Sequence, residues 1–451
     1  MMMIDLSVLD DSILGHHSPD PLAYAFTGKR QAHAGGSGRP LPPPAVQGQL
    51  QQLLMQDTPA IRPRCLYIHI PFCRVRCTFC SFFQYAASPT LVAEYFAALS
   101  EELKRKAAMP WTQAAPFAAV YIGGGTPTDL TAEQIFALGQ LIKAHFPLTD
   151  DCEITLEGRL NRFSDEKYHA AVDGGVNRFS FGVQSFDTDV RRKAKRLDPR
   201  EKLLETVSHL VALDRAPIIV DLMFGLPHQS ATAWQQDLQD FLHSGAHGVD
   251  LYQLIEMQGT PMARLVEENR LQAPAATPEK SRMYAQGVAF MQQHGIQQIS
   301  VNHWTRDTRE RSRYNHLAKT TADVLPAGAG AGGFIDGFAL MQTRDLESYH
   351  QAIREERYPV AMMMSPNPQH ALHCAIKAGF DRGRLQRSEL DSLSGMALYD
   401  YVSPLLTQWQ ERGLLSLEAD QARLTTAGSF WNINMAQGLI NALRLSPPLA
   451  A

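Results

Sequence analysis

Residues 66–82 read LYIHIPFCRVRCTFCSF, a β-prone run that leads into Cys73, Cys77 and Cys80 at C-x3-C-x2-C spacing. Three thiolates on one loop can bind three irons of a [4Fe–4S] cluster, leaving the fourth iron open to a ligand. A structural zinc site normally closes with four ligands, and His69 just upstream makes Cys3His the chemical alternative. The bland reading is three unrelated thiols. Cys65, Cys152 and Cys374 stand alone and read as small core residues. Six cysteines in 451 residues are too few for a disulfide-dense scaffold.

Outward from this segment the chain alternates. Strand-like runs at 65–70, 117–123, 152–158, 178–185, 218–227 and 248–256 are separated by helix-like runs at 88–109, 131–146, 164–175, 187–194, 199–214 and 232–245. Thr131 is a natural N-cap, and glycines close the helix at 164–175. Six βα units predict an α/β fold with a parallel sheet and helices outside. Their number suits a partial (β/α)6 TIM-like barrel, with function at the carboxyl ends of the strands. A doubly wound sheet would place a Gly-rich turn after its first strand, where the cysteines stand.

The flanks are less regular. Residues 1–60 read as an N-terminal arm, partly flexible, with a Gly/Pro-rich stretch at 33–44 and a short helix at 47–56. The barrel is expected over 61–260. Residues 261–365 are expected to complete it and bind substrate, with a helix at 281–295, a strand at 296–304 and a Gly-rich turn at 327–337. Residues 366–451 read as a helical, winged-helix-like domain, with a hairpin and a final helix within 414–443. Hydrophobic residues are 45%, charged residues 20% and net charge −4, which argues against a nucleic-acid partner held by bulk electrostatics. No apolar run approaches the ~20 residues of a membrane span. The start, MMMIDLSVLDDS, is acidic where a signal peptide is basic. The expected setting is cytoplasmic, with no membrane and no nucleic acid.

The cysteine segment resembles that of radical S-adenosylmethionine (SAM) enzymes, in the branch of oxygen-independent coproporphyrinogen oxidase and its heme-handling relatives. The resemblance spans about residues 62–445 and is strongest over 66–227. It implies a radical SAM barrel, a [4Fe–4S] cluster on Cys73, Cys77 and Cys80, and one or two SAM molecules. The open iron would bind the amino and carboxylate groups of SAM, and an electron would release a 5′-deoxyadenosyl radical. In GGGTP (123–127), Gly124, Gly125 and Thr126 match the SAM-contacting element; alone, such a run is only a turn. Tyr67 matches a tyrosine near the sulfonium, against an ordinary strand aromatic. Phe79 would flank adenine.

Glu157, in ITLEG near the end of the third strand, matches an acid for ribose hydroxyls or the SAM ammonium, although Gly158-Arg159 replaces the usual small residue and Asn-Pro pair. Gln184 ends FGVQSF. Arg196 matches the carboxylate-binding arginine, against a solvated basic stretch, RRKAKR. Asp221 in DLMFGLP matches an acid on ribose or on a second SAM, against an ion-paired interior acid.

Coproporphyrinogen oxidases of this type carry a further cysteine just after the third, whereas Ser81-Phe82 follow here. That argues against propionate decarboxylation. FCRVRCTFCSFFQ (72–84) and PLAYAFTGKRQAHAGG (21–36) are similar to the anaerobic heme-utilisation (HutW/ChuW) family. The likeness implies heme degradation by SAM-dependent methyl transfer and porphyrin ring opening, with release of iron. The alternatives are a heme chaperone with a regulatory cluster, or a coproporphyrinogen dehydrogenase-like enzyme. Arg306, Arg309, Arg311 and Arg313 are candidates for heme propionates, against a solvated loop. His303 and His316 are candidate axial ligands, against structural histidines. Reduced flavodoxin or ferredoxin is the implied electron donor, with Arg74 and Arg76 suited to an acidic surface.

Overall fold

Alternation of side chains along the strands explains the sheet. In the strand β1, Arg64–Ile70, the even-numbered Leu66, Ile68 and Ile70 are buried in the main apolar core, while Tyr67 and His69 face the other way. The same two-sidedness recurs in β2 (Phe117–Gly124), β3 (Leu148–Gly158), β4 (Arg178–Gln184), β5 (Ile218–Phe224) and β6 (Gly248–Gln253). One face carries residues such as Val120, Leu156, Phe181 and Leu222 against the helices. The opposite face carries Tyr121, Glu157, Asp221 and Asp250. The six strands pair in parallel, in chain order. The computed structural model describes residues 3–29, 38–57, 62–82 and 85–448.

The connecting helices are α1 (Pro89–Ala107), α2 (Ala132–His145), α3 (Asp165–Gly174), α4 (Thr188–Lys193), α5 (Arg200–Ala212) and α6 (Ala231–Ser244), followed by α7 (Thr277–Gln293). Thr131 caps α2 in a reciprocal capping box with Gln134. Gly175, at φ 115°, ends α3 in the left-handed conformation.

The sheet then extends on both sides. Gln297–Gln298 (β7) and His303–Thr305 (β8) pair antiparallel beyond β6. The continuous strand expected over 296–304 is therefore two short pieces, because the chain turns at Ser300, whose carbonyl accepts from His303 N at 3.2 Å. Asp323–Ala327 (β9) runs parallel beside β1. Gly332–Ile335 (β10), Phe338–Gln342 (β11) and Val360–Met364 (β12) add an antiparallel meander. The order is β12-β11-β10-β9-β1-β2-β3-β4-β5-β6-β8-β7, so the barrel is partial and its margins do not pair. Within the expected 327–337 stretch, the Gly-rich turn occupies 328–331, β10 takes 332–335 and a second turn follows at 336–337.

Residues 370–445 form helices around a three-stranded antiparallel sheet of Arg384–Gln386, Gln421–Leu424 and Leu415–Leu417, and end in the helix Asn432–Leu445. The N-terminal residues pack on this unit. Trp409 Nε1 donates to Ile13 O at 3.0 Å, Arg412 Nε to Gly15 O at 2.8 Å and Trp431 Nε1 to Pro21 O at 3.0 Å. The helix Pro43–Leu54 sits beside β12, after Leu41 N donates to Met363 O at 2.8 Å. Part of the Gly/Pro-rich stretch, residues 33–37, lies outside the described residues. Among the described residues, no helix is long and apolar enough to cross a membrane.

The buried ring of Phe26 lies 5.5 Å from that of Trp431. Phe26→Ala leaves a cavity at this seam and is expected to cost about 3 kcal/mol, read as a lowered denaturation midpoint.

Candidate functional site

The cysteine loop leaves the carboxyl end of β1. Phe72–Cys73 pairs with Tyr85–Ala86, which closes the loop at its base. Gly125 N, at the end of β2, donates to Ile70 O at 2.8 Å. A Cβ at Gly125 would stand 2.4 Å from Phe72 O, so only glycine allows this approach. Thr126 Oγ1 then donates to Cys73 Sγ at 3.3 Å. Cys73 and Cys77 are buried, and Cys80 is half-buried. Burial pushes the Cys73 thiol up; the Thr126 hydrogen bond and the Arg159 charge oppose it.

Among the described residues, no three His, Cys, Asp or Glu side chains converge on a single metal ion. His69 instead contacts Tyr67, whose hydroxyl lies 2.9 Å from Nδ1. Burial, with Arg344 nearby, lowers the His69 pKa to about 4. Three thiols spread along one loop suit separate irons of a cluster better than one tetrahedral zinc.

The other residues singled out above gather at the same end of the barrel. Glu157 lies against Gly123, where a Cβ would come within 2.6 Å of its Oε2. Burial raises its carboxyl to about 7, against hydrogen bonds from Tyr121 and Gly124 N. Asp221 accepts from Ser180 Oγ at 3.2 Å. Burial also raises Asp221 to about 7, helped by the negative charges of Asp250 and Glu157. Gln184 ends β4 at φ 72°, a left-handed backbone on a non-glycine residue. Arg196 is buried, donates to Gly182 O and hydrogen-bonds the Cys77 thiol. The solvated reading of Arg196 therefore does not hold, although its neighbours Arg192, Lys193 and Lys195 are exposed. Phe79 packs beside Leu226, Leu254 and Met262, at the edge of this group.

Gln184 Oε1, Arg196 Nε and Gln253 Oε1 are buried without a hydrogen-bond partner. A buried polar atom left unpaired is costly, so such a set is suited to a polar ligand. One guanidinium, two carboxyls and two amide oxygens fit a zwitterionic amino acid joined to a hydroxylated sugar.

Several features were not visible as a pattern in the sequence. Tyr67, Tyr121 and Tyr314 form an aromatic group, with Tyr121 and Tyr314 4.8 Å apart. Beneath Asp221, His303 lies 2.9 Å from Asp250 and 3.0 Å from Glu310, and Glu310 pairs with Arg178 at 2.9 Å. Burial disfavours a charged His303, but the two carboxylates raise its pKa to about 10. His303 is thus an ion-paired interior group and has no free ring nitrogen for iron. Arg309 pairs with Asp214 and Arg311 and Arg313 with Asp151, and Arg306 donates to Phe241 O and Leu242 O. These partners cluster at the amino ends of the strands, away from the cysteines. His316, on the helix Arg313–Leu317, is exposed. The expectation that Arg306, Arg309, Arg311, Arg313 and His303 meet heme is therefore replaced, since each is engaged by protein partners. Arg74 is paired with Asp129 at 2.9 Å, and Arg76 reaches Cys80 O at 3.4 Å.

The acids carry a pH signature. With folded pKa values raised to about 7, Glu157 and Asp221 hold protons in the native state that the unfolded chain has released. Stability of the ligand-free protein is expected to fall as pH rises from about 4.5 to about 7. Glu157→Gln with Asp221→Asn should flatten that slope, as read from denaturant midpoints across pH.

Comparison with known proteins agrees with this geometry. Residues 67–241 match the Radical SAM superfamily model. The chain is 38% identical over 400 residues to anaerobilin synthase from Escherichia coli O157:H7, covering 88% of each chain. It is 31% identical over 364 residues to the heme chaperone HemW from Bacillus subtilis (strain 168), covering 80% of this chain and 95% of that one. Among solved structures, coproporphyrinogen III oxidase from Escherichia coli, a radical SAM enzyme, superposes with a TM-score of 0.74 at 21% identity, covering 92% of this chain and 97% of that one. Family membership implies an iron–sulfur cluster and SAM. The chain belongs to the radical SAM superfamily, in its coproporphyrinogen oxidase-like branch.

Proposed function

We propose that this protein degrades heme without oxygen, by SAM-dependent methyl transfer and opening of the porphyrin ring, with release of iron. The observation that carries this reading is the 38% identity to anaerobilin synthase across 88% of the chain. Cys73, Cys77 and Cys80 hold the [4Fe–4S] cluster. When bound, the cluster and one or two SAM molecules supply a low-potential electron, a source of 5′-deoxyadenosyl radical and a methyl group.

The chain's own residues bind, orient and shield. Arg196 holds the carboxylate of SAM, and its contact with the Cys77 thiol couples that grip to the cluster loop. Gly124, Gly125 and Thr126 let the backbone approach the amino group. Glu157 and Asp221 accept from ribose hydroxyls or the ammonium, and ionise as the ligand's positive charge arrives. Gln184 orients the ligand, Tyr67 lies towards the sulfonium and Phe79 flanks the adenine. Heme or a related porphyrin is the substrate, reduced flavodoxin or ferredoxin the donor, and the setting cytoplasmic.

The test is anaerobic turnover with heme, SAM and dithionite. Loss of the Soret band together with S-adenosylhomocysteine and 5′-deoxyadenosine is expected. An intact Soret band after many equivalents of SAM, with heme passed to an acceptor, would assign a carrier instead. The Cys73→Ala, Cys77→Ala, Cys80→Ala triple variant should form no 5′-deoxyadenosine. Asp221→Asn should keep the cluster spectrum and weaken SAM binding by about ten- to a hundredfold, as expected from the roughly 1.5–3 kcal/mol of a hydrogen bond to a charged group.

A further inference from the structure

A cluster held by Cys73, Cys77 and Cys80 needs an electron from outside, and one face of the molecule lies close over its loop. The segment 188–197 packs on that loop. Thr78 N donates to Ala194 O at 3.3 Å and Thr78 Oγ1 to Lys193 O at 3.4 Å, and Arg196 reaches the Cys77 thiol. The outer side of the same segment exposes Arg192, Lys193 and Lys195. Across a cleft, the turn after β3 exposes Arg162.

The charge here is one-sided. The chain as a whole carries −4, yet the cleft gathers Arg74, Arg159, Arg162, Lys195 and Arg196. Its acids, Asp129 and Asp198, are engaged by Arg74 at 2.9 Å and by Asn161 at 2.9 Å. Among the described residues, Arg162, Lys193 and Lys195 form no ion pair. A solvated basic stretch normally spreads its cations among acids, as Arg192 does with Asp189.

Two further observations are independent of charge. Arg162 and Lys195 have φ of 60° and 57°, left-handed conformations that cost a side-chain-bearing residue energy and that glycine would adopt freely. Both strained positions carry cations on the rim of one cleft. Beside them Leu197 is 67% exposed, an apolar spot ringed by positive charge. Such a combination suits a protein interface with an apolar centre and a charged, steering rim.

We propose that the rim formed by Arg162, Lys193 and Lys195 around Leu197 is the docking surface for a small acidic one-electron donor protein of the flavodoxin or ferredoxin type. This deepens the function proposed above and rests on its cluster assignment. The reduced donor loses one electron and the oxidised cluster gains it; no bond is made or broken and no proton moves. Thr78, Lys193 and Ala194 form the direct covalent and hydrogen-bonded route from the rim to the cysteine loop.

The test uses the reconstituted, cluster-loaded protein and purified flavodoxin. Calorimetric affinity for oxidised flavodoxin at low salt should fall about tenfold or more in Arg162→Glu, Lys193→Glu, Lys195→Glu, and flavodoxin-driven 5′-deoxyadenosine formation should fall with it. Cluster absorbance and dithionite-driven formation should stay at the parent level, because a small reductant needs no docking. The milder Arg162→Gln, Lys193→Gln, Lys195→Gln variant should lose less affinity, and Lys104→Glu on α1 should lose none. Unchanged flavodoxin affinity and rate in the charge-reversed protein would overturn the docking surface alone. A parent protein inert with dithionite would bring down the cluster reading and the docking surface together.

Discussion

The structure turns on how β1 ends. A strand buried between β2 and β9 has every backbone group paired until the chain leaves the sheet, and the groups it frees must find new partners. Tyr95 Oη donates to His69 O at 2.6 Å and itself accepts from Ala329 N at 3.0 Å. Ile70 O receives Gly125 N. One helix side chain and two neighbouring turns thereby fix where the cysteine loop begins. The Gly-rich turn is fixed in its own right: Glu102 accepts from Gly328 N at 2.9 Å and from Tyr349 Oη at 2.6 Å, and pairs with Lys106 at 2.7 Å. A buried ion pair gains little net stability over apolar packing, but it fixes geometry where every partner is satisfied.

The barrel interior obeys the opposite rule. Its upper layer holds two amide oxygens and a guanidinium nitrogen without partners beside two carboxyls that burial raises. Its lower layer is closed electrostatically by Arg178, Glu310 and His303. The same alternation that turns leucine and isoleucine toward the helices turns these groups inward, so the core and the site are two faces of the same strands. Polarity that would weaken a structural barrel is concentrated at the carboxyl ends, where a ligand can satisfy it.

Much of this was legible in the residues. The βα alternation and the C-x3-C-x2-C loop point to the barrel and to its active end, because both are local patterns with a fixed period or spacing. Thr126 and Arg196 are less local: taken alone, GGGTP is a turn and RRKAKR a charged stretch, and it is tertiary placement that puts Thr126 on Cys73 and Arg196 beside Cys77. The aromatic group of Tyr67, Tyr121 and Tyr314 joins residues far apart in sequence, and nothing in the local spacing of any one of them announces the other two. The arginines after β8 misled for a related reason. Composition shows a run of cations, but their acids, Asp151 and Asp214, come from other strands and loops. Strand 296–304 broke because β propensity says nothing about where an edge turns.

The seam between the first residues and the last helix has a consequence for biosynthesis. Trp431 binds the carbonyls of Pro21 and Leu22, and Asn434 binds that of Gly28, across some of the longest sequence separations in the chain. A ribosome releases residues 13–28 long before residues 409–434, on which they dock. The βα units can condense as they emerge, since each packs on its predecessor, but the arm has no complete surface to dock on until residues 409–434 have been made. Loop-closure entropy across such a span makes its docking a late event. Until then Ile13 and Phe26 stay exposed on the nascent chain, which makes the arm a natural holding site for chaperones that bind apolar segments during translation.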